Sequence, residues 1–192
     1  MKHSFFAEYG TLKLMPIIRE DIDSLRKWRN DKSINSFLRD IGYITVERQE
    51  KWFQEYLIND EEIAFGIHDS QIDNNNIIGS ISLYNIDMNA HKAMVGHFLI
   101  GSELAHSRSI GKNSIVMVVK AGHDLLGLNT FDATVHPDNL PSQKCFRKTG
   151  FRRIDVIEST IGKEDLLETN DSIVRERIVF FESILTYKKD KE

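Results

Sequence analysis

At 192 residues the chain is long enough for one well-buried core and short for two. Its 41% apolar and 28% charged residues are those of an ordinary globular protein, and a net charge of −4 with both signs interspersed gives no electrostatic basis for nucleic-acid or anionic-membrane binding. One cysteine, Cys145, excludes an internal disulfide. No apolar run approaches the ~18 residues of a membrane span, and MKHSFFAEYG lacks the apolar core of a signal peptide. A single cytoplasmic domain over residues 1–192 is expected.

Residues 11–18 alternate as a first strand. Asp21 or Asp23 can cap a helix with Ile22, Leu25 and Trp28 on one face, ending near Asn30. The loop 31–44 leads to Thr45, a plausible N-cap, and residues 46–60 then read as a helix with Val46, Phe53 and Leu57 inward. Strands follow at 63–67 and 77–85, separated by a turn at 73–76, with another at 94–100. After Gly111 comes a helix whose stripe of Ile115, Val118, Val119, Gly122, Leu125 and Leu126 suits burial on a sheet, and Gly127 suits its end. A strand at 131–135, a short helix ending near Gly150, a strand at 151–161, a polar loop at 163–171, a strand at 173–181 and a charged tail complete the chain. No repeat or linker divides it.

The segment 108–113, RSIGKN, sets a glycine and Lys112 at the start of a helix, next to Asn113 and Ser114. Backbone N–H groups at a helix start have no intrahelical partner and a partial positive charge, so this loop suits a phosphate or pyrophosphate. One glycine before a helix is also an ordinary structural device. A second stretch, HPDNLPSQKCFRKTGF at 136–151, follows a strand.

Together these stretches resemble the two signatures of the GNAT acyltransferase superfamily. Arg108 and Gly111 match the first, which has Gly or Ala where this chain has Asn113; Asn139, Ser142, Phe146, Gly150 and Phe151 match the second. The resemblance implies an α+β (mixed α/β) GNAT fold: a mostly antiparallel twisted sheet of about seven strands, helices on both faces, and two central strands, 95–100 and 131–136, splayed at their ends. It also implies acetyl-CoA as acyl donor, lying in that gap. Leu99 and Ile100 would meet its pantetheine arm. Arg108, Ser109, Ile110, Gly111, Lys112, Asn113 and Ser114 would hold the pyrophosphate, with Asn139, Ser142 and Phe146 contributed by the second motif.

The opening region resembles the branches that acetylate nucleotide-linked amino sugars and ribosomal-protein N-termini. Trp28, Arg29, Asn30, Phe37 and Arg39 are more similar to the former, where an arginine can pair with a diphosphate and an aromatic can stack on a base. The spacing from Leu25 already explains Trp28 as the last core position of the first helix, with Arg29 its solvated neighbour. The amine acceptor would then be a small nucleotide sugar. A protein N-terminus is the alternative acceptor, and a non-catalytic acyl-CoA-binding module the alternative class. A homodimer stays open.

Acetyl transfer to an amine needs a proton acceptor, and His97, on the strand that would flank the thioester, is the candidate. A solvated or core histidine is its structural alternative; Glu103 and His136 are further candidates. Many family members carry Tyr where Phe146 stands, and Phe cannot protonate a leaving thiolate. Cys145 fits inert helical packing better than nucleophilic catalysis. The remaining histidines lack metal-ligand spacing, so no metal is expected.

Overall fold

Leu12 and Leu14 point to one side of an extended segment and are buried, while Gly10 takes the left-handed conformation (φ 62°) that turns the chain back on itself. Strand β1 (Ala7–Tyr9) therefore pairs antiparallel with β2 (Leu12–Pro16). The computed structural model describes residues 2–38, 41–73, 76–102, 105, 109–160 and 175–184, with backbone alone at 155–160, 175–180 and 183–184.

After β2 come α1 (Ile22–Asn30), a one-turn α2 (Lys32–Asn35) and α3 (Val46–Ile58). Thr45 caps α3, its hydroxyl accepting from the Arg48 N–H. Gln49, Phe53 and Tyr56 form the buried side of α3, whereas Val46, expected inward, sits in the exposed first turn. Strands β3 (Ile63–Asp69), β4 (Gly79–Asp87) and β5 (Lys92–Ile100) form a meander, and α4 (Ile110–Leu126) crosses to β6 (Thr130–Val135). Then α5 (Leu140–Lys148), β7 (Arg152–Thr160) and β8 (Arg175–Ile184) follow. The eight described strands lie in the order β1-β2-β3-β4-β5-β6-β8-β7, and β5 with β6 is the one parallel pair. The additional strand relative to expectation is β1, whose sequence carries no alternation.

Two apolar layers cover the sheet. On one face α4 buries Ile115, Val118 and Val119 against Leu83, Val95 and Phe131. A Cβ on Gly122 would come within 2.8 Å of both Leu83 and Phe131, so the glycine sets how closely helix and sheet approach. Leu125 lies on the same helical face two turns beyond Val118, yet it is 45% exposed, its side chain at the rim of a small apolar pocket shared with Phe5, Ile63, Phe65 and Leu83. On the other face α1 and α3 pack Ile22, Leu25, Phe53 and Tyr56 over Ile17, Ala64 and Ile77. The buried Tyr56 hydroxyl is satisfied by both the N–H and carbonyl of Ala64. No helix among the described residues is long and apolar enough to cross a membrane.

Candidate functional site

The parallel ladder between β5 and β6 lasts three residues, Lys92 to Met94 against Thr130 to Asp132. Beyond it both strands continue, to Ile100 and Val135, with no pairing between them. Among the described residues, backbone groups on the facing edges of β5 and β6 therefore lack the ladder partners a closed sheet would give them, and an extended ligand can take their place. The expected splay lies at the centre of the sheet.

One step past the divergence β5 is bulged. Gly96 pairs with Ser82 and Leu99 with Ser80, so His97 and Phe98 together face the single residue Ile81. His97 takes the left-handed conformation (φ 45°), a strain of about 1 kcal/mol for a residue with a side chain. Its ring is turned out of the strand's alternation and lies stacked on Tyr84, centroids 4.4 Å apart. His97 Nδ1 is 2.8 Å from Glu62 Oε1. The His97 side chain is about half exposed (52%), whereas that of Glu62 is nearly covered (10%).

Burial works to raise the Glu62 carboxyl, but the His97 hydrogen bond and charge, Ser82 and Lys2 together hold it below its ordinary value. Glu62 is therefore a carboxylate that only accepts, and His97 Nδ1 must carry the proton that it receives. In the neutral imidazole the lone pair is then on Nε2. Tyr84 sits within hydrogen-bonding reach of Thr134 on β6; burial lifts its hydroxyl above the ordinary value, Thr134 lowers it and the Glu62 charge raises it. Its ring crosses β5 over Gly96, where a Cβ would lie 2.7 Å from Tyr84 Cε1.

The start of α4 stands past the far end of β5. Ser109, left-handed (φ 57°), does not cap the helix with its side chain, and the first turn contains no acidic residue. Lys112 is exposed there, and Ser114 is buried with a hydroxyl that has no partner among the described residues. Donors without acceptors and a nearby ammonium suit a pyrophosphate. Ile110 is a core residue, and Gly111 is the second residue of the helix, packed where a Cβ would meet Phe98 (3.2 Å) and Cys145 (3.4 Å). Leu99 is buried and Ile100 half-buried at the end of β5, and Asn113 is half-buried on α4. Arg108 and Glu103 lie outside the described residues.

In the second motif Asn139 is the N-cap of α5, accepting from the Ser142 N–H at 3.1 Å, which accounts for its presence without a ligand. Phe146, expected against the cofactor, is instead a core residue, its ring 5.0 Å from Phe151 and 5.7 Å from Phe181. Burial pushes the Cys145 thiol up.

The α1–α2 corner holds the residues expected to bind acceptor. Trp28 packs its indole on Gly101, where a Cβ would lie 2.0 Å from Trp28 Cε2. Asn30 spends its amide on the backbone of Ile44, donating to the carbonyl and accepting from the N–H, both at 2.8 Å. Both are packing and stapling residues in this fold. Arg29 is half-buried and pairs with no carboxylate among the described residues; burial first, and then the charge of Arg48, depress its guanidinium below the ordinary value. The Phe37 ring lies 5.8 Å from that of His136, at the end of β6. Arg39 lies outside the described residues. An open basin of ≈ 550 Å³ lined by Arg26, Lys27, Asn30, Asp31, Lys32 and Tyr43 includes none of the groups around the bulge.

Glu62 and Tyr84 are the site residues that the sequence did not suggest. No spacing links them to His97; the signal is the alternation that puts Ser82, Tyr84 and Gly96 on one face, readable only once β4 and β5 are in register.

The sequence profile of the acetyltransferase (GNAT) domain matches residues 11–152. A Bacillus subtilis (strain 168) protein assigned as an N-acetyltransferase, YjcK, is 34% identical over 131 residues, 66% of this chain and 70% of that protein. An N-acetyltransferase 9-like protein of Nematostella vectensis is 30% identical over 130 residues, 63% and 64% of the two chains. Among solved structures, the Vibrio cholerae spermidine N-acetyltransferase in complex with CoA and spermine superposes with a TM-score of 0.75 at 16% identity, covering 92% of this chain and 96% of that one. A Vibrio cholerae protein proposed to be a ribosomal-protein-serine acetyltransferase gives 0.74 at 16% identity, covering 96% and 100%.

Proposed function

The chain belongs to the GNAT acetyltransferase family, and we propose that it acetylates the primary amine of an amino sugar carried on a nucleoside diphosphate. Acetyl-CoA is the co-substrate of this family, and it supplies an acetyl thioester whose thiol is the leaving group. The uncapped first turn of α4 and Lys112 suit its pyrophosphate, and the unpaired edge of β5 suits its extended arm. The bulge interrupts the β4–β5 ladder at His97 and Phe98, and a backbone N–H released there would suit a developing oxyanion. His97 Nε2 is the base that removes the amine proton, with Glu62 holding the tautomer that keeps Nε2 free. Glu62 also stabilises the imidazolium that forms.

The observation that carries the acceptor class is Arg29, half-buried beside Arg48 with no carboxylate partner among the described residues. Arg48 gives Nη1 to the Ile41 carbonyl and likewise has no carboxylate partner among the described residues, and two such guanidiniums side by side suit a diphosphate. Phe37, 40% exposed beside His136, offers a ring on which a base can stack. The test is release of free CoA thiol from acetyl-CoA with UDP- and dTDP-linked amino sugars, N-terminal peptides and spermidine as acceptors. Release with a nucleotide sugar is expected. Release with peptides or spermidine alone overturns the acceptor assignment and leaves the acetyl-transfer reading in place.

A further inference from the structure

Resting on that acetyl-CoA reading, we infer that Tyr84 is the acid that protonates the departing CoA sulfur. Phe146 has no proton to give and is closed inside the core between Phe151 and Phe181. Tyr84 belongs to β4, two strands from β6, yet its ring and hydroxyl lie over Gly96 of β5, the strand between them. Crossing β5 requires a residue without a side chain beneath the ring, and Gly96 is that residue: any Cβ there would lie 2.7 Å from Cε1 and 3.3 Å from the hydroxyl oxygen. The crossing falls just beyond the last β5–β6 pair, Met94 with Asp132, and just before the bulge at His97. The phenol is thus delivered to the vertex of the splay. A thioester entering from the α4 end along β5 brings its reacting carbon and sulfur to that same vertex.

The stack with His97 puts the base and the acid next to one another without a hydrogen bond between them. In the reaction the amine nitrogen bonds to the acetyl carbon and the carbon–sulfur bond breaks. His97 Nε2 takes one proton from the amine, and the Tyr84 hydroxyl gives one to the sulfur. Passage of the His97 proton to the Tyr84 phenolate through solvent restores both groups, so acetylated amine and CoA thiol are the net products.

The test needs no acceptor. Calorimetry compares CoA with desulfo-CoA on the wild type, Tyr84→Phe and Thr134→Val. A hydrogen bond between the phenol and sulfur makes the wild type prefer CoA by about threefold to tenfold. Tyr84→Phe is expected to abolish that preference without changing desulfo-CoA affinity, and Thr134→Val to keep it. Once an acceptor is in hand, Tyr84→Phe should lower kcat by about tenfold to a hundredfold with little change in the KM for acetyl-CoA. An unchanged preference in Tyr84→Phe overturns the assignment while leaving the cofactor reading standing, and equal loss in Thr134→Val makes Tyr84 a structural strap. If neither CoA nor desulfo-CoA binds the wild type, the cofactor reading falls and this assignment with it.

Discussion

His97 Nδ1 lies 2.8 Å from Oε1 of Glu62, 35 residues earlier in the chain and nearly covered from solvent. The carboxylate does two things that an amide does only in part: it fixes which imidazole nitrogen is protonated, and it offsets the positive charge that develops on the ring. Glu62→Gln retains an acceptor for the Nδ1 proton but loses the charge. The expected outcome is a kcat lower by roughly tenfold or more, with CoA affinity by calorimetry unaltered. A rate equal to the wild type would mean that the amine proton leaves by water and that the pair serves packing alone.

The conformation of His97 separates its chemistry from its cost. With φ at 45°, Ala at this position keeps the strain, whereas Asn tolerates the left-handed region. Both His97→Ala and His97→Asn remove the base and should lower the acetylation rate by about a hundredfold or more. In thermal denaturation His97→Asn should be the more stable by about 0.5–1 kcal/mol. Equal stabilities would show that the bulge relaxes when the imidazole is gone.

At the start of α4 the cleanest probe is Lys112, exposed in a first turn without acidic residues. Lys112→Glu reverses one charge and touches no packing, so the melting temperature should hold. Affinity for acetyl-CoA should drop roughly tenfold at low salt, and the drop should shrink as ionic strength rises. Gly111→Asp is less clean, because its Cβ would press on Phe98 and Cys145; it should lower both binding and stability. Unchanged binding in Lys112→Glu would move the pyrophosphate elsewhere.

Most of this architecture is local in origin and so was readable from the chain. The i, i+3, i+4 stripe of α4, the Thr45 cap of α3 and the alternation of β3 to β6 each depend on residues a few positions apart. What was hidden depends on register. Whether residue 97 continues a strand or interrupts it depends on β4 opposing His97 and Phe98 with Ile81 alone. The Glu62 partnership and the crossing of Tyr84 over Gly96 follow from that register. Phe146 shows the converse: its position in a motif was legible, but only the packing of Phe151 and Phe181 around it reveals that its ring is used by the core.

Gly101 carries the sharpest steric prediction. Trp28 of α1 lies against it so closely that a methyl group would be placed 2.0 Å from the indole, and the indole is rigid and packed within the α1–α3 layer. Gly101→Ala should force α1 away from the end of β5 and cost about 2–3 kcal/mol, read as a melting temperature several degrees lower. A shift under one degree would show that α1 moves freely on the sheet.

The N-terminal segment gives the fold a pH dependence of definite sign. His3 Nδ1 accepts from the Phe5 N–H at 3.2 Å, so Nε2 bears the proton and donates to the Ala64 carbonyl at 3.1 Å. The neutral ring is fully satisfied, and a second proton would break the Phe5 bond. Burial is the main force holding the imidazole below its ordinary value of 6.5, with the charges of Lys2 and the N-terminus in the same direction and the Ala64 bond opposing. The unfolded chain therefore binds the proton first as pH falls through 6.5, and stability is lost from there down to the folded value. His68, also lowered chiefly by burial against the pull of Asp21 and Asp73, adds to the same trend. His3→Gln supplies a donor and an acceptor without titrating, so its melting temperature should fall less than that of the wild type between pH 7.5 and 5.5. Parallel curves for the two proteins would place the acid sensitivity at His68 or beyond.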